Sequence, residues 1–217
     1  MLVVDRYKYS WKDDMAEDGN YIKVPTIGTH TVKCIMVDNY TDLQFLFHDC
    51  KYKTLDLSNL DTSNVTNMYS MFQYCGVENL DVSYFDVSKV TNMKYMFYDC
   101  YNLTSITFGD KWDTSNVTDM QDMFNWCSGL TSLDLSSFNT SNVTNMYGMF
   151  MDCSGLTSIE FGYNSDVSKV TSYDNMFDDV PSTCELKLCS NTQTSWDTLL
   201  SNLDEKPLNI IFRECTE

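Results

Sequence analysis

Val65-Thr66-Asn67-Met68, followed by Met71-Phe72 and Cys75, returns as Val90-Thr91-Asn92-Met93 with Met96-Phe97 and Cys100, then as Val117-Thr118-Asp119-Met120 with Met123-Phe124 and Cys127. A fourth copy is Val143-Thr144-Asn145-Met146 with Met149-Phe150 and Cys153, and the four are spaced 25, 27 and 26 residues apart. A degraded copy follows at Val170-Thr171-Ser172-Tyr173, and another precedes at Tyr40-Thr41-Asp42-Leu43, with Cys50 in the slot of Cys75. Self-similarity at a fixed period of this length marks stacked units, each too small to bury its own apolar face.

Each unit divides into halves of different period. Leu55-Asp56-Leu57, Leu80-Asp81-Val82, Ile106-Thr107-Phe108, Leu133-Asp134-Leu135 and Ile159-Glu160-Phe161 alternate apolar and polar residues, which predicts strands. Leu186-Lys187-Leu188 and Ile210-Ile211-Phe212 continue the series, so about seven parallel rungs in one sheet are expected. In the other half Met68, Met71, Phe72 and Cys75 stand at i, i+3, i+4 and i+7, which predicts a short helix after a Ser/Thr/Asn/Asp cap. Leu103, Leu130 and Leu156, with Val77 in the same slot, precede the strands by three residues, as in leucine-rich repeats. The expected fold class is therefore an α/β repeat: a right-handed leucine-rich-repeat solenoid with a parallel concave sheet and short convex helices.

The ends lack the repeat. Residues 1–30, with Tyr7, Tyr9, Trp11 and Tyr21, read as an N-terminal cap or docking segment, residues 31–180 as about six repeats, and residues 181–217 as a C-terminal cap. In that last part Trp196, Leu199, Leu200 and Leu203 form a helical stripe, and the strand after Pro207 closes the final rung.

Composition bounds the function. The 217 residues carry 14 Lys+Arg and 31 Asp+Glu, a net charge of −17, with no concentrated basic patch; nucleic acid and anionic membranes are poor partners for such a field. No apolar run reaches the roughly 18 residues of a spanning helix, and Met1 to Tyr9 do not read as a signal peptide. Membrane insertion is accordingly not expected. Nine cysteines cannot all pair within one chain.

The repeat-linked cysteines, Cys50, Cys75, Cys100, Cys127 and Cys153, recur on the core face and read as buried thiols. Cys184, Cys189 and Cys215 stay open as a disulfide or metal clip, and Cys34 lies outside the series. Catalytic signals are poor: His48-Asp49-Cys50 are neighbours in sequence that would not face one another on a helix, no glycine-rich phosphate loop is present, and no carboxylate pair stands out. The chain is read as not an enzyme and as needing no cofactor.

Two features point to binding. Asp56, Asp81, Thr107, Asp134, Glu160 and Lys187 occupy the outward centre of successive rungs, which makes either a solvated acidic face, a recognition surface for a basic partner, or a calcium site built from carboxylate oxygens. A second polar line, Asp61, Asp86, Asp113, Asn139 and Asp166, suits side-chain bonds to turn N–H groups. Aromatic residues, Tyr74, Tyr98 and Trp126 among them, fall at positions that vary between units around a fixed frame, the arrangement expected of a recognition surface.

The unit Leu-Asp-Leu-Ser, Asp-Thr-Ser-Asn-Val-Thr-Asn-Met, Met-Phe and Cys resembles the BspA-like leucine-rich repeat surface proteins, including related repeats of mycoplasma lipoproteins, over roughly residues 40 to 180. The resemblance implies a bacterial or protist surface protein, at the cell surface or outside it, adhering to a protein or glycan on a host or neighbouring cell. The reading is non-enzymatic recognition; the alternative is a structural or assembly subunit, such as a virion or appendage component, that oligomerises through its N-terminal segment.

Overall fold

The computed structural model describes residues 40–203 and 209–216, together with the backbone of three short strands at residues 2–4, 7–9 and 32–34. Among the described residues the chain forms ten short strands, and where apolar and polar residues alternate in those between residues 79 and 189 the apolar side chains turn inward. In order these strands are β1 (Leu2–Val4), β2 (Tyr7–Tyr9), β3 (Val32–Cys34), β4 (Leu55–Asp56), β5 (Asn79–Asp81), β6 (Ser105–Thr107), β7 (Ser132–Leu135), β8 (Ser158–Phe161), β9 (Glu185–Cys189) and β10 (Asn209–Arg213). In β7, Leu133 and Leu135 are buried while Ser132 and Asp134 are exposed.

The strand side forms three hydrogen-bonded sheets, β2-β1-β3-β4, β5-β6 and β10-β9-β8-β7, rather than the single sheet expected. β1 runs antiparallel to β2 and β3, and every other pair is parallel. Register is kept from rung to rung, with Leu133 beside Ile159 and Ile159 beside Leu186. That register stacks like on like and puts all the inward apolar positions in one column.

A second parallel ladder runs through Asp42, Asn67, Asn92, Asp119, Asn145 and Ser172. Beside it Thr66, Thr91, Thr118, Thr144 and Thr171 each donate their N–H to the preceding threonine carbonyl, at 2.7–2.9 Å, and their hydroxyl to the same oxygen at 3.1–3.3 Å. The Val-Thr-Asn-Met motif is thus a one-residue-wide strand at every rung.

The helices expected at Met68–Cys75 and its repeats are corrected by the structure: these segments are pairs of tight turns. Met71 N–H donates to the Met68 carbonyl and Cys75 N–H to that of Phe72, i to i+3 bonds, and Ser70 and Tyr74 have φ of 52° and 60°. A positive φ at the third residue of a bonded four-residue turn defines type II. Both left-handed positions recur in all six units, at Phe45 and Asp49, Tyr95 and Asp99, Asp122 and Trp126, Gly148 and Asp152, and Asn175 and Asp179. The remaining N–H groups point along the stack: Met68, Ser70, Phe72 and Tyr74 donate to the carbonyls of Asn92, Lys94, Met96 and Tyr98. The same four bonds, at 2.7–3.1 Å, join every successive pair of rungs from 43–50 to 173–180. Among the described residues the one α-helix is α1 (Gln193–Ser201).

Burial makes these turns affordable. Met68, Met71, Phe72 and Cys75 and their counterparts in the next three units have no solvent exposure. Phe47, Phe72, Phe97, Phe124, Phe150 and Phe177 form one column of near-parallel rings with centroids 5.2–5.8 Å apart. The Cys100, Cys127 and Cys153 thiols each donate to a phenylalanine carbonyl one rung back, at 3.0 Å. Two left-handed residues per rung cost about 1–2 kcal/mol each. Burying two methionines and a phenylalanine returns about 1.5–3 kcal/mol apiece, and four inter-rung bonds add roughly 0.5–1.5 kcal/mol each, so packing wins.

After β9 the chain departs from the repeat. A 3-10 turn at Ser190–Thr192 leads into α1, whose Trp196, Leu199 and Leu200 are buried. Trp196 Nε1 donates to the Ser165 carbonyl at 2.8 Å and its ring lies 4.9 Å from that of Phe161. A disulfide, Cys189–Cys215, ties the end of β9 to the residues beyond β10, while Cys184 is a buried free thiol.

Candidate recognition surface

Three corners of the coil are built the same way, the first in three rungs and the other two in five each. Asp56, Asp81 and Asp134 each accept, through Oδ1, the N–H two residues on, from Ser58, Ser83 and Ser136 at 2.9–3.1 Å. Asp61, Asp86, Asp113, Asn139 and Asp166 do the same at the second corner, accepting from Ser63, Ser88, Ser115, Ser141 and Ser168. Asp42, Asn67, Asn92, Asp119 and Asn145 repeat it at the third. Each is a side-chain turn that closes the bend, and Asp and Asn serve equally because only an acceptor oxygen is needed. Nine of the 31 acidic residues are therefore corner chemistry. Ser63's hydroxyl and N–H hold the Asp61 carboxyl below the usual range, and the Ser88 hydroxyl and N–H do so for Asp86 against the opposing effect of burial. Burial pushes Asp166 upward, but the Ser168 N–H and hydroxyl outweigh it and the carboxyl is again lowered.

The outward strand line lies where the alternation placed it. Asp134, Glu160 and Lys187 are neighbours across β7, β8 and β9, and Asp81 stands beside Thr107 across β5 and β6. Glu160 is paired with Arg213, and Lys187 with Glu185 at 3.1 Å. Among the described residues no group of three or more His, Cys, Asp or Glu side chains is gathered closely enough to hold a metal ion.

Tyr74, Tyr98 and Trp126 belong to a different surface, the outer side of the turn column. There Phe45, His48, Tyr74, Tyr98, Tyr95 and Tyr69 close a ring of edge-to-face contacts, each centroid 5.2–5.8 Å from the next. Lys94 Nζ sits 4.9 Å over Tyr95, and Gln121 Nε2 donates to the Tyr95 hydroxyl. Trp126 follows with 48% of its surface exposed, and Tyr101 with 55%. Burial raises the Tyr95 and Tyr98 hydroxyls above their ordinary pKa. Aspartates share this face: burial lifts the Asp99 carboxyl, and burial with Asp179 and Asp178 nearby lifts that of Asp152. Asp122 is buried and accepts from Gln121 and from Asn125 Nδ2 at 2.9 and 2.7 Å.

The cysteines line the core side of the same turns. Hydrogen bonding to Cys50 and burial raise the Cys75 thiol well above its ordinary value, and burial pushes Cys153 up to about 12. Cys50, the half-buried end of the column, is lowered by its bond from Cys75.

The six-rung column of turns, corners and ladder coincides with a known sequence family, described as "Mycoplasma protein of unknown function, DUF285", which matches residues 26–108 and 104–190. The chain belongs to that family. No curated protein and no solved structure matches it. In this DUF285 chain the two matched stretches together take in every rung that carries the paired turns.

Sequence reasoning missed three things. The left-handed positions were hidden because large aromatic residues fill several of them. The partner of Cys189 was one of several alternatives until β9 and β10 were seen side by side. A groove of about 700 Å³ between the last rung and α1, bordered by Asp166, Val170, Tyr173, Thr194, Thr198 and Leu199, has no signal in the sequence beyond the change of Met to Tyr at position 173.

Proposed function

We propose that this chain is a non-enzymatic recognition module that holds a protein partner, displayed on a host or neighbouring cell, against the aromatic outer side of its turn column. One observation carries the reading. Phe45, Tyr74, Tyr95 and Trp126 occupy left-handed positions that Gly148, Asn175 and several aspartates fill in other rungs. An aromatic side chain there costs strain that Gly or Asn avoids, and Tyr74 and Trp126 keep 37% and 48% of their surface in water. A fold selected for stability alone gains little from that choice; a binding face gains large, rigid anchors. The flanking aspartates favour a basic partner, with charge selecting it and rings holding it.

The test is retention of host-surface proteins on the immobilised chain, compared with the double variant Tyr74→Asn, Trp126→Asn. Asn tolerates the left-handed conformation, so melting and circular dichroism should show a folded protein. A protein retained by the parent and lost by the variant supports the reading; equal retention removes the aromatic face from it.

A further inference from the structure

At its C-terminal end the second corner gives way to a polar groove. Along that corner successive rungs are tied side chain to neighbour: Asn116 Nδ2 donates to the Ser88 carbonyl and Asn142 Nδ2 to that of Ser115, at 2.7 and 2.8 Å, and Lys169 Nζ reaches Asn142 Oδ1. After Asp166 the place of the next corner is taken by α1. Val167 N–H donates to Ser195 Oγ at 3.3 Å, and the bond from Trp196 to the Ser165 carbonyl fixes the helix there. The groove of about 700 Å³ described above lies between the last corners and α1, and its size is that of a small-ligand site.

The lining decides the ligand. Ten of the sixteen described residues that line the groove are Asn, Ser or Thr; none is Lys, Arg or His, and Asp166 is the one carboxylate. Such a wall has no cation to hold a phosphate, a sulfate or an acidic sugar, and Asp166 repels them. Its amides are held by one end each. Asn139 Oδ1 accepts from the Ser141 N–H and hydroxyl, at 3.1 and 2.7 Å, which leaves Nδ2 as a donor. Asn191 and Asn202 are held the other way, with Nδ2 donating to the Tyr163 and Thr198 carbonyls at 2.8 and 3.0 Å, which leaves each Oδ1 as an acceptor. Fixed donors and acceptors side by side suit hydroxyl groups, which do both, whereas an anion uses donors alone and a metal ion acceptors alone. Between the polar groups stand two half-buried rings, Tyr163 and Tyr173, and the aliphatic side chains of Val167, Val170 and Leu199. A pyranose has the matching make-up, with hydroxyls around its edge and C–H faces that lie on aromatic rings. Tyr163 and Asn164 also line a second depression, of about 390 Å³, bordered by Ser136 and Arg213, whose guanidinium is paired with Glu160. The two depressions make one elongated track across Tyr163. We infer that this track binds a neutral oligosaccharide, its hydroxyls bonded to the asparagines and one sugar ring lying against Tyr163. This surface shares no residue with the aromatic outer side of the turn column, and neither reading needs the other.

NMR titration of the isotope-labelled full chain tests this. The neutral probes are cellotetraose, maltotetraose, mannotetraose, chitotetraose and lacto-N-neotetraose, and the acidic one is sialylated lacto-N-neotetraose. At least one neutral sugar should shift the amide signals of residues 163–173 and 191–202 to saturation, and the sialylated one should not. Asn139→Asp keeps the Oδ1 acceptor that closes its turn and loses the Nδ2 donor, so that variant should melt as the parent does and bind that sugar about tenfold more weakly. Tyr163→Ala should abolish the shifts and Tyr163→Phe should retain them. Failure of every neutral sugar to give saturable shifts, or a stronger response to the sialylated one, overturns the inference. So does parental affinity in both Asn139→Asp and Tyr163→Ala, or a set of shifts confined to residues 69–74 and 95–98, which would place the sugar on the aromatic turn column instead.

Discussion

Ser70→Gly should make the protein more stable, which is unusual for a substitution that deletes a fully buried side chain. Ser70 has φ of 52° and no solvent exposure, and its hydroxyl is buried with no hydrogen-bond partner. Its backbone bonds, to the Lys94 carbonyl at 3.0 Å and from Gln73 N–H at 3.2 Å, do not involve the side chain. Glycine removes about 1–2 kcal/mol of left-handed strain and about 1–3 kcal/mol of unmet hydroxyl desolvation. Against this stand about 0.5–1 kcal/mol of added unfolded-state freedom and roughly 0.8 kcal/mol of lost packing. The balance centres on a gain of about 2 kcal/mol, or a rise in Tm of about 4–8 °C for a chain of this size. Thermal and urea unfolding followed by circular dichroism measure it, with Ser70→Ala as the control that removes the hydroxyl and keeps the strain. The rung at 146–153 makes the converse experiment, because a Cβ on Gly148, φ +57°, would lie 2.3 Å from Asp122 Oδ1. Gly148→Ala should cost about 2 kcal/mol or more. A Ser70→Gly protein that unfolds more readily than its parent would refute the strain argument.

Reducing or replacing the Cys189–Cys215 disulfide, which closes a loop with a sequence separation of 26, should cost about 3.5 kcal/mol, seen as loss of exchange protection in α1 and β10 before the repeats unfold. Stability should pass through a maximum on the acid side of neutrality. The raised folded pKa values of Asp99 and Asp152 disfavour their charged forms, so lowering the pH toward those values stabilises. Asp61, Asp86 and Asp166 have lowered folded values; the stability they contribute is present above the ordinary carboxylate pKa and is lost as the pH falls through the folded ones. A urea-midpoint series from pH 7 to pH 3 shows whether the curve turns over. A disulfide-exchange reagent at pH 8 should modify Cys50 while Cys75, Cys100, Cys127 and Cys153 stay silent until unfolding, because those four are fully buried. Peptide mapping of the labelled thiols decides it.

The strands were legible because a period of two has one structural meaning at this length: Leu133-Asp134-Leu135 and Ile159-Glu160-Phe161 lie in register as the alternation implied. The spacing of Met68, Met71, Phe72 and Cys75 was ambiguous in a way that only the backbone resolves. Two type II turns in succession bring residues 1, 4, 5 and 8 to one side, as two turns of helix do. The distinguishing mark was in the other positions. Gly148, Asn175, Asp99, Asp122, Asp152 and Asp179, at the third and seventh places, are poor helix residues that tolerate positive φ, but Tyr74, Tyr95 and Trp126 break that column. The acidic corners were half legible: the second line was read as turn-holding, and Asp56, Asp81 and Asp134 of the first hold their turns in the same manner. Surfaces made where the repeat stops, such as the groove beside α1, follow from how far each side of the coil extends, and no local pattern records that.

The twenty inter-rung bonds of the turn column all run in one sense, each N–H toward the C-terminal end and each carbonyl toward the N-terminal end. Peptide dipoles of about 3.5 D therefore add along the stack as they do along a helix, though the chain here circles the axis. The column is electrically polar, positive where rung 171–180 ends, and Asp174, Asp178 and Asp179 stand at that pole as acids stand at the first turn of a helix. Every repeat inserted by duplication would lengthen this macrodipole without changing the terminal charges. In longer arrays built on this unit, acidic residues should therefore concentrate in the final rung rather than spread evenly over the coil.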